Sequence, residues 1–178
     1  MKVPGVIGRI LLVGFMGSGK TLVGQALARR LGWVFRDFDQ EVRSRVGLPI
    51  PEIFRQHGEG WFREMEGRVG RELMQEQGIV LASGGGWPVV PGRMDEIGSS
   101  TLTVWLRVSP AEAVRRAQQE GITRPLMAVE DPVGKACALL ERRIAYYEKA
   151  RLSIDSSQME PEELAKEIEG YVNDQGLI

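Results

Sequence analysis

Between the apolar run Arg9-Ile-Leu-Leu-Val13 and a stretch of helical spacing lies Gly14-Phe15-Met16-Gly17-Ser18-Gly19-Lys20-Thr21, three glycines closed by a lysine and a threonine. The apolar run is rich in strand formers and bounded by glycines, as in a parallel strand buried on both faces. Val23, Leu27 and Leu31 then recur until Gly32 stops the pattern, which predicts a helix from about Lys20 to Leu31. A strand, a glycine loop and a helix in this order form a phosphate-binding loop. Its glycines let successive backbone N–H groups turn toward phosphate oxygens, and the helix start adds partial positive charge. In such a loop Gly17, Ser18, Gly19, Lys20 and Thr21 hold the nucleotide phosphates, Lys20 neutralises charge, and the Thr21 hydroxyl faces magnesium.

The remaining chain repeats the alternation. Val34 and Phe35 lead a second strand into Asp37-Phe38-Asp39, and Pro51 opens a short helix followed by a longer one from about Glu59 to Gln77. Ile79 to Ala82 reads as a third strand running into Ser83-Gly84-Gly85-Gly86, a loop expected to take unusual backbone angles or to approach a ligand. A short helix is expected around Arg93 to Ile97, a fourth strand over Thr101 to Leu106, and a helix from Ala111 to about Gln119 capped by Ser109. Gly121 to Asp131 lacks a helical stripe and is expected to be a functional loop. A helix over about Pro132 to Ala150, a fifth strand near Leu152 to Ile154 and a last amphipathic helix complete the chain. The pattern predicts one α/β domain over residues 1–178, three layers around a five-stranded parallel sheet, with ligands at the carboxyl ends of the strands.

Composition removes other classes. The 23 basic and 24 acidic residues leave a net charge of -1, so no positive field for a nucleic acid backbone is expected. No run approaches the ~20 apolar residues that cross a bilayer, and Gly5, Gly8 and Arg9 interrupt the apolar start, so a cytoplasmic protein with no membrane partner is expected. Cys137, the single cysteine, falls in a helical pattern and is expected to be a small buried residue. His57 is expected to be structural, at a helix end.

Nucleotide switches and motors usually carry a magnesium-ordering aspartate at a strand end, whereas the third strand ends in Ala82-Ser83-Gly84. The nearest suitable acids are Asp37 and Asp39, which share one face if the chain stays extended through Phe38. One can serve magnesium through water while the other faces an acceptor. Their competing structural role is to cap the helix that follows, with Asp39 placed just before it. Arg63, three residues before Glu66, could equally be a surface charge in a local pair, and only one of Arg142 and Arg143 can point into a site.

Taken in order, Gly14 to Thr21, Phe35 to Asp39, Ile50 to Phe54, Gly58-Glu59, Phe62 to Glu66, Ser83 to Gly86, Thr123-Arg124-Pro125-Leu126 and Arg142-Arg143 resemble the shikimate kinases, phosphate-loop enzymes of the nucleoside-monophosphate-kinase fold. The resemblance implies transfer of the ATP γ-phosphoryl group to the 3-hydroxyl of shikimate, with Mg²⁺, by a monomer. It implies that Asp39 binds shikimate hydroxyls and accepts the proton, and that Asp37 helps place magnesium through water. Arg63 and Arg143 would hold the shikimate carboxylate, Gly84, Gly85 and Gly86 would approach the ring, and Glu66 would orient Arg63. Arg124, on a lid spanning about 121–131, would close over the phosphates, and the substrate region would span about 37–66. Arg116 would line the adenine site, which the segment Asp155 to Gln158 would approach. Trp87, a bulky ring after the glycines, is expected beside the acceptor pocket. A kinase of a gluconate-like sugar acid or a nucleoside monophosphate, or a nucleotide-dependent switch, are the other readings.

Overall fold

The computed structural model describes residues 6–119 and 130–178. Its strands are β1 (Arg9–Val13), β2 (Val34–Asp37), β3 (Ile79–Ala82), β4 (Thr101–Arg107) and β5 (Leu152–Asp155). The helices are α1 (Lys20–Leu31), α2 (Phe38–Val46), α3 (Ile50–Leu73), α4 (Pro110–Gln119), α5 (Pro132–Tyr147) and α6 (Pro161–Asp174). All strand pairs are parallel, in the order β2-β3-β1-β4-β5.

The sheet is covered on both sides, and β1 shows how. Leu11 and Val13 enter a core with Phe38, Phe62, Val69, Trp87, Ala113 and Tyr147, whereas Ile10 and Leu12 enter a second core with Val23, Leu27, Leu164 and Ile168. Alternate side chains of a strand point to opposite faces, so a strand between two helical layers is apolar throughout. α1 and α6 form one layer; α2, α3, α4 and α5 contribute to the other.

Strand order sets the site. β1 is central, with β3 on one side and β4 on the other, and β2 lies beyond β3. Neighbouring parallel strands lie about 4.8 Å apart. The segments leaving β1, β3 and β2, which are Gly14 to Lys20, Ser83 to Gly86 and Asp37 to Asp39, therefore emerge side by side at one edge.

Four local expectations are corrected. Residues 87–96 form successive turns and no helix, because Gly92 takes φ 86 and its carbonyl accepts from both Asp95 and Glu96. The strand that brings in the two aspartates ends at Asp37, and Asp39 lies inside α2, so the pair does not share a face of extended chain. Asp37, and not Asp39, is the N-cap: its Oδ1 accepts from the Asp39 and Gln40 amides at 3.0 and 3.3 Å. Cys137 is exposed; its neighbour Ala136 is the buried residue, and successive helical positions are rotated by about 100°. The break expected between two helices near Glu59 is present inside α3, where Gly58 adopts φ 82 and ψ 167. His57 precedes that break and stacks on Trp61 with centroids 4.4 Å apart.

Candidate active site

The phosphate loop is shaped by its glycines. Gly14, Gly17 and Gly19 all have positive φ, and a Cβ on Gly17 would lie 2.8 Å from the Ala113 carbonyl oxygen. Gly19 begins α1 in the left-handed conformation, with no side chain capping the first amides. Helix amides left uncapped in this way are a general anion site. Lys20 Nζ lies across the loop, donating to the carbonyls of Gly14 at 2.9 Å and Phe15 at 2.8 Å and to Ser18 Oγ at 3.4 Å.

Thr21 Oγ1 donates to Asp37 Oδ2 at 2.8 Å, which joins the first turn of α1 to the end of β2. A hydroxyl and a carboxylate side by side are oxygen donors of the kind Mg²⁺ takes, together with nucleotide phosphates and water. The pair fits that ion; among the described residues no group of three or more His, Cys, Asp or Glu forms a protein cage for one.

Arg116 closes the far side of the loop. It donates to the carbonyl of Gly17 at 3.1 Å and to those of Ser156 and Ser157 at 2.7 and 3.2 Å, while Glu112 accepts from its Nε at 2.7 Å. The phosphate loop, α4 and the segment after β5 thus meet where the adenine residues were expected.

On the other side, Gly84 and Gly86 are required for space, whereas a Cβ on Gly85 would meet only ordinary contacts, and none of the three glycines has positive φ. A Cβ on Gly84 would lie 2.3 Å from Glu66 Oε1 and 3.0 Å from Asp39 Oδ1. On Gly85 it would lie 3.5 Å from Arg143 Nη1, and on Gly86 2.5 Å from Arg63 Nη2. The loop is a seat for side chains from α2, α3 and α5, and it brings together Asp39, Arg63, Glu66 and Arg143. Arg142 is exposed on α5, whereas Arg143 turns inward with its guanidinium 5.8 Å from the Phe15 ring centroid.

Charge in this wall is tightly linked. Glu66 is fully buried, and its Oε2 accepts from Arg63 Nη1 at 2.9 Å. Burial pushes the Glu66 carboxyl above the usual range; Arg63 and Arg93 pull it back, and the nearby Asp39 charge pushes it up. Burial lowers Arg63, but Glu66 and then Glu59 outweigh it, so Arg63 is held above its ordinary value. Arg63 Nη2 also donates to Glu59 Oε1 at 3.3 Å.

Two residues escaped sequence reading. Arg93 donates to Glu66 Oε2 at 3.5 Å and to the Arg63 carbonyl. The Tyr147 hydroxyl, expected only as part of an apolar helix face, donates to the Gly85 carbonyl at 2.7 Å. Neither has a local signal, because the partners lie 27 and 62 residues away. The Trp87 ring, 3% exposed, packs edge-on against Phe38 with centroids 5.5 Å apart and belongs to the core. Arg124 and residues 121–129 of the expected lid lie outside the described residues.

Over most of its length the chain is similar to known proteins. The family model described as shikimate kinase matches residues 16–172. A shikimate kinase of Moorella thermoacetica is 42% identical over 161 residues, covering 90% of this chain and 92% of that protein. The solved shikimate kinase of Acinetobacter baumannii in complex with shikimate is 35% identical with a TM-score of 0.88, over 97% of this chain and 96% of that one. That of Bacteroides thetaiotaomicron is 28% identical with a TM-score of 0.86, over 93% of this chain and 98% of that one. With its central phosphate loop, its triple-glycine seat and this likeness over almost its whole length, the chain belongs to the shikimate kinase family of ATP-dependent phosphotransferases.

Proposed function

We propose that this crevice transfers the γ-phosphoryl group of ATP to the 3-hydroxyl of shikimate, with the two halves of the site described above holding the two substrates. The observation that carries the assignment of roles is the meeting of Asp39, Arg63, Glu66 and Arg143 at Gly84 to Gly86, in the loop after β3, the strand beside the one that leads into the phosphate loop. Shikimate has one carboxylate and three hydroxyls, so its site needs cationic forks, a hydrogen-bonding acid and close packing against backbone. Arg63 and Arg143 supply the forks, which pair with a carboxylate more specifically than lysine can. Asp39 supplies the acid.

In the transfer, the shikimate O3–phosphorus bond forms as the bond from phosphorus to the β,γ-bridging oxygen breaks, the hydroxyl proton passes to Asp39, and ADP leaves. Little covalent chemistry is asked of the protein, so catalysis is positioning and charge stabilisation. The loop amides and Lys20 hold the phosphates, and Arg116 with the 155–158 segment faces the adenine. Thr21 and, through water, Asp37 would hold Mg²⁺, which when bound neutralises phosphate charge. Arg124, on the lid of about 121–131, would exclude water, whose attack would waste ATP. Near-balanced charge supports a protein without a nucleic acid partner. No helix among the described residues is long and apolar enough to cross a membrane; we propose a cytoplasmic monomer.

Incubation of the protein with ATP, Mg²⁺ and shikimate, beside gluconate and nucleoside monophosphates, should give ADP and shikimate 3-phosphate from shikimate alone. Turnover of another acceptor without shikimate would overturn this reading.

A further inference from the structure

Arg63 is asked to do two things. It neutralises Glu66, and it must also present a fork to the acceptor carboxylate. A second cation is built into the wall beside it. The Arg93 side chain is 14% exposed; its guanidinium lies 5.5 Å from the Trp87 ring centroid and donates to the Trp87 carbonyl at 3.4 Å, to Glu66 Oε2 at 3.5 Å and to the Arg63 carbonyl.

The opposing face of α3 is cut to receive this pair. Gly67 and Gly70 are both buried there, although glycine is unfavourable inside a helix. A Cβ on Gly67 would lie 2.7 Å from Arg93 Nη2, and one on Gly70 would lie 2.9 Å from Trp87 Nε1. Two helix glycines and two residues of the turn after β3 are therefore matched in shape, and what the match delivers to the site is the Arg93 cation against the Glu66 carboxylate.

We infer that Arg93 is a positioning residue for acceptor binding: lodged between Trp87 and Gly67, it holds Glu66 and the Arg63 backbone so that the Arg63 fork stays along Gly86. The inference rests on the reading of Arg63 as an acceptor ligand. Glu66 is faced by Arg63 from its own helix, by Arg93 from the turn after β3 and by Asp39 from α2, with Arg71 near Arg93. Of these charges, Arg93 is the cation that need not move when Arg63 engages a second carboxylate.

Two variants separate positioning from simple packing. Arg93→Met keeps an unbranched stem over Trp87 and removes the charge. Gly67→Ala changes no charged residue and suits a helix, but its Cβ displaces the end of the Arg93 side chain. Loss of one charge-assisted contact should raise the KM for shikimate about tenfold in Arg93→Met and less in Gly67→Ala, with kcat and the KM for ATP within about twofold of wild type. Arg93→Lys should recover part of the loss. The Glu66 carboxyl resonance, followed by carbon NMR without substrate, should titrate at higher pH in Arg93→Met than in wild type, since a cation that favours the ionised form has gone.

An unchanged shikimate KM in both folded variants, an equal rise in both KM values, or an unmoved Glu66 titration would overturn the inference. If Arg93→Met does not fold, Gly67→Ala decides by the same readings. Wild-type protein that ignores shikimate would instead overturn the functional reading, while the Glu66 titration still reports the brace itself.

Discussion

The two ends of the crevice are built on different plans. The phosphate end is made almost wholly from consecutive residues, Gly14 to Thr21, and its form is a property of the backbone: positive φ at three glycines, and a lysine folded back onto the carbonyls of its own loop. The acceptor end is made from side chains delivered by α2, α3 and α5 onto a loop that contributes space at Gly84 and Gly86 and a carbonyl at Gly85. A polyphosphate presents similar oxygens to any enzyme that binds it, so a fixed backbone cradle suffices. A ring acid has its own pattern of groups, and matching it takes side chains whose identity can be changed one at a time.

The difference is broken most severely at Asp39, proposed above as the acceptor of the hydroxyl proton. Asp39→Asn should lower kcat by about 10²–10⁴-fold, the usual contribution of a positioned general base, while nucleotide affinity stays near wild type. A Kd for ATP that rose as steeply as kcat fell would show that the two ends are not separable. Lys20→Ala, at the other end, should cost about 10²–10³-fold in kcat, by analogy with removal of one charge-stabilising donor, with shikimate affinity retained.

Glycine substitutions sharpen the contrast. Gly17→Ala puts a side chain at φ 70 with its Cβ 2.8 Å from a backbone oxygen of α4, which cannot step aside. The left-handed conformation alone costs about 1–2 kcal/mol, and for a chain of this size each kcal/mol lowers Tm by roughly 2–4 °C. Gly86→Ala meets instead the end of the Arg63 side chain. The fork should move, Tm should change little, and the KM for shikimate should rise about tenfold, as for loss of one hydrogen bond to a charged group. Thermal melts and paired KM measurements on the two variants check this. A large Tm loss in Gly86→Ala would mean that the acceptor loop is as rigid as the phosphate loop.

The same contrast explains what could be read in the sequence. The phosphate loop is local, so eight residues and their flanks define it. The strand and helix order followed from alternating apolar runs and glycine stops such as Gly32 and Gly47, both in the left-handed conformation at helix ends. Asp37 and Asp39 stood out as a pair of acids at a strand end, but which one faces the acceptor, and the parts of Arg63 and Arg143, came only through a resemblance that joined distant motifs. Periodicity alone left Arg63 and Glu66 as one helical pair among several. Arg93 and Tyr147 were out of reach, because a contact across 30 or 62 residues leaves no trace in spacing. Cys137 was misjudged for a related reason: a helix interior in sequence is not a buried helix face.

Tyr147 gives the smallest test and the most specific one. Its ring lies in the core, tilted against Trp105 with centroids 5.9 Å apart, and only its hydroxyl reaches the acceptor loop, at the Gly85 carbonyl. Tyr147→Phe keeps the ring and removes the hydroxyl's bond to Gly85 together with its side-chain contact to Arg143, so stability should fall by about 1 kcal/mol and the KM for shikimate should rise only about two- to fivefold. Burial pushes the phenol above its ordinary pKa of 10.0, with Arg143 and Arg63 pulling the other way. A group whose folded pKa is raised keeps its contribution below the unfolded value and loses it as pH rises through the folded one. The difference between Tyr147→Phe and wild type, in Tm and in KM alike, should therefore stay level between about pH 6 and 9, since the phenol donates its proton throughout that range. A difference that grew or shrank with pH there would mean that the hydroxyl is linked to a titrating neighbour in the acceptor wall, and that the loop is held by charge as well as by this bond.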